Sequence, residues 1–330
     1  MKILVTGSCG FIGSHLVEKL VKLNHRVKAF TFYNARGNNG WIDRIDSKIL
    51  KNIELISGDI RDYSFLEKQT RNVDAIYHLA ALIGIPYSYN SPKSYIDTNI
   101  NGTYNILQSA KQNNVSKIFV ISTSEVYGTA QQVPIKENHP MNAQSPYAAT
   151  KIGADQLALS FYRSYKLPVV ILRPFNTYGP RQSARAVIPT IISQLLNNNK
   201  FLKIGNMSAT RDFTYIDDTV EAFALALKKN IFGEVINIGN RFEISIKDII
   251  NIFKKDFGYN FKILIEKKRI RSKKSEVFRL LASDLKARKL LNWKPKYNGI
   301  AGFKKGLEKT IEWFDNPDNL RLYNSNIYNI

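Results

Sequence analysis

The chain of 330 residues predicts a doubly wound α/β fold: a parallel sheet covered by helices on both faces, with a smaller C-terminal α/β substrate lobe. Three observations predict it. Short apolar runs recur along the first half of the sequence, as buried parallel strands require. Stretches with apolar residues at helical spacing separate them. A cluster of glycines sits where the first run meets the first such stretch.

The elements follow in order. Residues 2–6 (KILVT) form the first strand, and residues 11–23 a helix with Ile12, Leu16, Leu20 and Leu23 along one face. Further strands are predicted at 27–32, 53–57, 75–79, 117–121 and 169–172. Between them, 99–113 and 147–165 read as long helices with wide apolar faces. Strands alternating with helices give a parallel sheet. After Pro174 the regularity weakens: helices at 186–196, 217–228 and 246–257 alternate with short strands at 235–238 and 261–264. The predicted division is 1–174 for the sheet-bearing domain and 175–315 for the second lobe, with the chain free to cross between them. Residues 316–330 read as a loose tail.

Composition narrows the function classes. A hydrophobic fraction of 44% with 12% aromatic residues excludes a disordered or fibrous chain. Against 27 Asp and Glu stand 48 Lys and Arg, a net charge of +21, which keeps nucleic acid, anionic lipid and phosphorylated small molecules open as partners. The basic residues are spread along solvated faces, apart from a run at 267–274, and no aromatic residues interleave that run, so nucleic acid is not expected. One cysteine, Cys9, excludes an internal disulfide, and with four histidines it leaves no zinc cluster; no metal is expected. Glu18, Lys19 and Lys22 interrupt the apolar N-terminus, so neither a signal peptide nor a membrane span is expected. A cytoplasmic location follows.

Two constellations carry chemistry. The first is Gly7-Ser8-Cys9-Gly10-Phe11-Ile12-Gly13 between strand and helix. Gly7 suits backbone angles closed to other residues, Gly10 lets the main chain approach a pyrophosphate, and Gly13 lets helix and strand pack closely. The helix N-terminus offers free N–H groups to phosphate. A dinucleotide site is predicted, for NAD or NADP.

The second constellation pairs Tyr147 with Lys151, four residues apart and so on one helical face. A nearby ammonium favours the phenolate, which can then accept a proton from a substrate hydroxyl. Thr123-Ser124-Glu125 follows the strand at 117–121, where parallel sheets bind ligands. Thr123 is placed to hydrogen-bond that same hydroxyl. Glu125 is the informative residue: a proton removed next to a carbonyl needs a base, whereas a simple dehydrogenase or C4 epimerase does not.

Together these motifs resemble the extended short-chain dehydrogenase/reductase family, a Rossmann-type fold, in its nucleotide-sugar dehydratase and decarboxylase branch. The resemblance spans residues 1–315. It implies cofactor contacts at Gly7, Cys9, Gly10, Phe11, Ile12 and Gly13, through Asp59 and Ile60 to adenine, and along Leu79, Ala80 and Ala81, with Tyr147 and Lys151 at the catalytic end. His78 is read as structural and Asp62 as a helix cap. The place of the usual ribose-binding carboxylate is held by Thr31, with Asn34 and Arg36 close by, which keeps NADP open beside NAD.

The same resemblance implies catalysis by Tyr147, Lys151, Thr123, Ser124 and Glu125. Many dehydratases of deoxythymidine-diphosphate glucose carry Asp-Glu where this chain has Ser124-Glu125. GDP-mannose 4,6-dehydratases and UDP-glucuronate decarboxylases carry Ser-Glu. Substrate contacts are implied at Asn176, Arg181, Val187, Arg211, Arg271 and Arg279, and guanidinium forks suit the oxygens of a diphosphate. The implied activity is that of an NAD(P)-dependent 4,6-dehydratase, a lyase: C4 oxidation, loss of water across C5 and C6, and hydride return to C6 from a tightly bound, regenerated cofactor. Residues 82–89 (LIGIPYSY) and 182–189 (QSARAVIP) resemble most the branch acting on GDP- or UDP-linked N-acetylglucosamine in legionaminic acid biosynthesis. Family members pair as homodimers through helices corresponding to 99–113 and 147–165, forming a four-helix interface. The alternatives are a C4 epimerase or a decarboxylase and, from another class, a dinucleotide-binding regulator. A regulator would suit a chain lacking Tyr147 or Lys151; both are present.

Overall fold

The computed structural model describes every residue except 198, 199, 273, 326, 329 and 330. The chain runs through β1 (Lys2–Thr6), α1 (Phe11–Lys22), β2 (Arg26–Phe32), α2 (Ser47–Leu50), β3 (Ile53–Gly58), α3 (Tyr63–Gln69) and β4 (Ala75–His78). It continues through α4 (Ile85–Asn90), α5 (Pro92–Tyr95), α6 (Gly102–Gln112), β5 (Lys117–Ile121), α7 (Pro146–Tyr165) and β6 (Val169–Pro174). The second half holds β7 (Asn176–Tyr178), α8 (Val187–Leu196), β8 (Phe201–Ile204), β9 (Thr210–Tyr215), α9 (Ile216–Leu227), β10 (Val235–Ile238) and β11 (Glu243–Ser245). Then come α10 (Ile246–Lys255), β12 (Lys262–Ile265), β13 (Arg279–Leu280), α11 (Leu285–Leu291), α12 (Gly299–Asp315) and α13 (Pro317–Leu320).

Seven strands pair in the order β10-β6-β5-β4-β1-β2-β3, and every neighbouring pair is parallel. Successive side chains of a strand point to opposite faces. Ile3 and Val5 accordingly join one core cluster with Leu16 and Leu20 of α1, while Leu4 joins another with Ile106 and Leu107 of α6 and Leu159 of α7. Both faces are buried, which is why these strands read as apolar runs and not as alternating ones. From β1 the chain moves outward through β2 to β3, then returns to place β4 on the other side of β1. The C-terminal ends of β1 and β4 form the topological switch point, the place where sheets of this kind bind ligands.

The division at residue 174 is not a clean cut. β10, expected among the strands of the second lobe, is an edge strand of the large sheet beside β6. Its sequence explains the placement: Ile236 and Ile238 point to one face and both are fully buried. The lobe itself is a sheet in the order β11-β9-β13 with β7 on β9, beside a separate β8–β12 pair. Residues 316–330 were expected as a loose tail, yet α13 forms and Tyr323 is buried. Its ring lies 4.6 Å from Phe314, 6.2 Å from Trp313 and 6.4 Å from Trp41. Tyr323, with Leu320 packed against the same core, docks the segment, because a ring buries a large apolar area.

Candidate active site

The turn from β1 into α1 has the geometry its glycines predict. Gly7 adopts φ +69°, and a Cβ there would lie 2.7 Å from the Ala80 nitrogen. Only glycine meets both demands. A Cβ at Gly13 would come within 2.2 Å of the Gly7 carbonyl oxygen, so α1 seats directly on the turn. Gly10 is the N-cap of α1, with no side-chain cap and no acidic residue in the first turn. The free N–H groups of the helix end are therefore left for an anionic ligand. Cys9, Phe11 and Ile12 lie half-buried on the same turn, and the Cys9 carbonyl accepts from the Trp41 N–H at 3.1 Å. The segment after β4 closes against it: the Leu79 N–H donates to the Thr6 carbonyl and the Ala80 N–H to Thr6 Oγ1, with Ala81 half-buried next in line.

Other residues near this end take structural roles. His78 is wedged between Thr6 Oγ1 (2.8 Å) and Thr103 Oγ1 (3.1 Å), and burial pushes its pKa down to about 3. Asp62 caps α3 through the Phe65 N–H at 3.0 Å. Thr31, expected at the ribose position, is fully buried: its hydroxyl donates to Asn39 Oδ1 and to the Ile56 carbonyl. It braces the loop after β2. Asn34 stabilises the same loop through the Asn38 carbonyl, and Arg36 is exposed. Asp59 is gripped by Arg61 Nε at 3.0 Å, and that bond holds its carboxyl below the usual range. Ile60 is buried against Gly102.

The residues expected to be catalytic converge at the ends of β5 and α7. Ser145 caps α7 by accepting the Ala148 N–H, and Pro146 starts the first turn, which fixes Tyr147 at the helix entrance. Tyr147 is 7% exposed and packs edge-on to Tyr95 with ring centroids 6.3 Å apart. Burial pushes its phenol well above the ordinary value; a hydrogen bond with Thr123 pulls it back, and the charge of Glu125 pushes it further up. The expected lowering by Lys151 is not what governs it. Lys151 is itself 4% exposed, donates to the Ile121 carbonyl at 2.8 Å, and has its own pKa lowered by burial. Loss of water around both groups outweighs their spacing on the helix.

Thr123 Oγ1 also accepts the Glu125 N–H at 3.2 Å, which makes residues 123–125 a compact turn with Ser124 buried. Glu125 is half-buried, and its charge reaches both Tyr147 and Arg211. Two supporting groups escaped the sequence reading. Asn99 is 1% exposed, accepts the Leu82 N–H at 2.8 Å and donates to Thr150 Oγ1 at 3.0 Å, tying the 82–89 segment to α7. It lies in a wide turn at Ile96–Asn101 that precedes α6, where the apolar pattern suggested plain helix. Asp155, two turns beyond Tyr147, is fully buried and paired with Arg173 at 2.9 Å and Ser122 at 2.8 Å. A polar residue on a wide apolar helical face was the available signal in both cases.

On the substrate side, Asn176 opens β7, and its amide oxygen is buried with no partner among the described residues. Val187 begins α8, half-buried. Arg211 on β9 is 8% exposed, bonded to the Thr210 carbonyl at 2.9 Å and 3.7 Å from Glu276. Burial lowers its pKa while Glu125 and Glu276 sustain its charge, and Arg271 is near enough to repel it. Two expected substrate arginines have carboxylate partners in this structure. Arg181 turns back to α1, 2.6 Å from Glu18 and 3.3 Å from Ser14 Oγ. Arg279 is exposed and paired with Glu243 of β11. In the basic run, Arg269 pairs with Glu266 at 2.6 Å, and residue 273 lies outside the described residues. Among the described residues no group of His, Cys, Asp and Glu could hold a metal, and no helix is long and apolar enough to cross a membrane.

Arg211→Ala is therefore expected to raise the KM for substrate about 10- to 100-fold with a much smaller change in kcat, since a charged hydrogen bond is worth roughly 1.5–3 kcal/mol. Steady-state kinetics check it; an unchanged KM would place the diphosphate elsewhere.

A glycine cradle at the switch point and a Tyr/Lys pair beside it define an extended short-chain dehydrogenase/reductase. Residues 4–310 match the family GDP-mannose 4,6 dehydratase. The chain is 33% identical to the human dTDP-D-glucose 4,6-dehydratase, covering 95% of this chain and 89% of that protein. It is also 33% identical to a putative UDP-glucose 4-epimerase of Methanocaldococcus jannaschii, over 95% and 98% of the two chains. Among solved structures, DesIV of Streptomyces venezuelae, a dTDP-glucose 4,6-dehydratase with NAD bound, superposes with a TM-score of 0.85 at 30% identity, covering 96% of this chain and 98% of its own. The UDP-glucuronic acid 4-epimerase of Bacillus cereus, in complex with UDP-glucuronic acid and NAD, matches at 0.85 and 34%, over 98% and 100%. The chain belongs to the nucleotide-sugar 4,6-dehydratase and epimerase family.

Proposed function

We propose that this protein is an NAD-dependent nucleotide-sugar 4,6-dehydratase that converts GDP- or UDP-linked N-acetylglucosamine to the 4-keto-6-deoxy sugar, as legionaminic acid biosynthesis requires. The observation that carries the reading is Glu125, a carboxylate whose charge reaches both the Tyr147 phenol and the Arg211 guanidinium. A hexose held by its C4 hydroxyl at Tyr147 and by its diphosphate at Arg211 would present its C5 proton to this carboxylate.

The glycine turn fits a dinucleotide, because the end of α1 is uncapped and free of acidic residues, and Gly7 and Gly13 let β1, α1 and the segment after β4 close to backbone contact around it. When bound there, NAD, the form held by the structural neighbours, supplies a reversible two-electron oxidant. Tyr147 takes the proton of the C4 hydroxyl, with Thr123 hydrogen-bonded to its oxygen. The resulting C4 ketone acidifies C5–H; Glu125 takes that proton and passes it to the departing C6 hydroxyl, which leaves as water. Return to C6 of the hydride removed from C4, with a solvent-derived proton delivered to C5 through Glu125, would complete the 4-keto-6-deoxy sugar. Arg211 and Arg271 hold the diphosphate, and Asn176 offers its unpartnered amide oxygen to a sugar hydroxyl.

C4 epimerisation is the second reading, favoured by the epimerases among the relatives; it gives Glu125 no task. Exposed Tyr104 and Tyr165 on α6 and α7 support pairing of two copies through these helices. Purified protein incubated with GDP-, UDP- and dTDP-linked hexoses is expected to give a product lighter by one water from the N-acetylglucosamine nucleotide, without net release of reduced nicotinamide. Mass spectrometry reads the outcome: an isomer of unchanged mass means an epimerase, and loss of carbon dioxide from a uronate means a decarboxylase.

A further inference from the structure

Residues 82–89 and 182–189, far apart in sequence, meet at Gly84 and Arg185. A Cβ on Gly84 would lie 3.3 Å from Arg185 Nη1, 3.5 Å from Tyr95 Oη and 3.7 Å from Tyr87 Cβ. With no side chain at position 84, the guanidinium rests close against the backbone there. Tyr95 Oη donates to the Gly84 carbonyl at 2.5 Å, and the Tyr95 ring packs edge-on to Tyr147 at 6.3 Å. Arg185 thus sits one aromatic ring away from the catalytic phenol. Its charge is felt at Tyr95, where it opposes the upward push of burial.

The guanidinium is exposed and braced through Nε on Ser183 Oγ at 3.2 Å. Arg173, Arg181, Arg211 and Arg279 each pair with a carboxylate; among the described residues Arg185 pairs with none. A cation braced one aromatic ring from the Tyr147 phenol, and without a carboxylate partner among the described residues, is placed for a ligand.

We propose that Arg185 is a specificity-determining residue that donates to the acyl oxygen of a 2-acetamido group on the sugar. The proposal rests on the dehydratase reading. A guanidinium only donates, so it discriminates best in favour of a substituent that only accepts. A hexose ring offers two of these, the carbonyl of an acetamido group at C2 and a carboxylate at C6. Elimination needs a hydroxyl at C6, which excludes the carboxylate and leaves the acetamido oxygen. Ile83 and Tyr87, exposed on either side of Gly84, give the acetamido methyl an apolar surface.

The test compares NAD-loaded native protein with Arg185→Gln and Arg185→Lys, using GDP- and UDP-linked N-acetylglucosamine, the matching glucose nucleotides and UDP-glucuronate. Calorimetry reads Kd and product mass reads turnover. In Arg185→Gln the affinity and kcat/KM for the acetamido substrate are expected to fall about 10- to 100-fold, the worth of a hydrogen bond to a charged group. The loss should exceed that for glucose nucleotides at least about tenfold, and Arg185→Lys should recover part of it. Equal losses on both neutral sugars, or no loss, would overturn the assignment. An Arg185-dependent preference for the uronate would replace it with carboxylate recognition. If Arg185 sets the acetamido preference in Kd while no substrate loses water, the specificity assignment stands and the dehydratase reading fails.

Discussion

Tyr147→Phe is expected to slow C4 oxidation about 10³-fold or more, near the upper end of the 10²–10⁴ that a positioned acid–base group typically contributes. Binding should survive. The phenyl ring keeps the edge-on packing against Tyr95, and Arg211 and Arg271 are untouched. Nucleotide-sugar Kd by calorimetry should stay within about twofold of native, while the first-turnover change in nicotinamide absorbance disappears. The pH dependence has a definite sign. Burial raises the Tyr147 phenol, so the deprotonated fraction grows as pH rises from neutral, and the native oxidation rate should climb with it. The residual rate of Tyr147→Phe should be flat over the same range. Near-native turnover in this variant would mean that another group carries the C4 proton.

Glu125→Gln separates dehydration from oxidation. Without a base for the C5 proton, dehydration should fall about 10²–10⁴-fold, while Tyr147 and Thr123 still serve C4. Reduced nicotinamide and a 4-keto sugar should then accumulate on the enzyme, visible as a stable absorbance change of about one equivalent per site. The variant is expected to fold, because the Thr123 cap uses the backbone N–H of residue 125 and not its side chain. Native protein turned over in deuterium oxide should place deuterium at C5 of the product. Dehydration at the native rate in Glu125→Gln, or a product without label at C5, would remove the elimination mechanism and return the site to an epimerase.

Much of this was legible in the sequence because it is local. The glycine turn must lie between β1 and α1, since backbone angles at Gly7 and close packing at Gly13 act within seven residues. Tyr147 and Lys151 share a face by helical period, and the capped start at Ser145 fixes that face. Apolar runs gave the strands of the sheet because two-sided burial leaves no room for alternation. These features set the fold class and the family.

The charges obeyed another logic. Arg181 pairs with Glu18, 163 positions away, and Arg279 with Glu243. Lys151 was expected to tune Tyr147, yet both are stripped of water by segments that the helical spacing does not describe. Thr31 bonds to Asn39 and the Ile56 carbonyl, β10 crosses back to the large sheet, and Gly84 lies against Arg185, a hundred positions on. Periodicity, capping and glycine angles depend on neighbours along the chain, so the sequence by itself determined them. Which charges pair, and how much water each loses, depends on contacts between distant segments, and only the tertiary structure decides those.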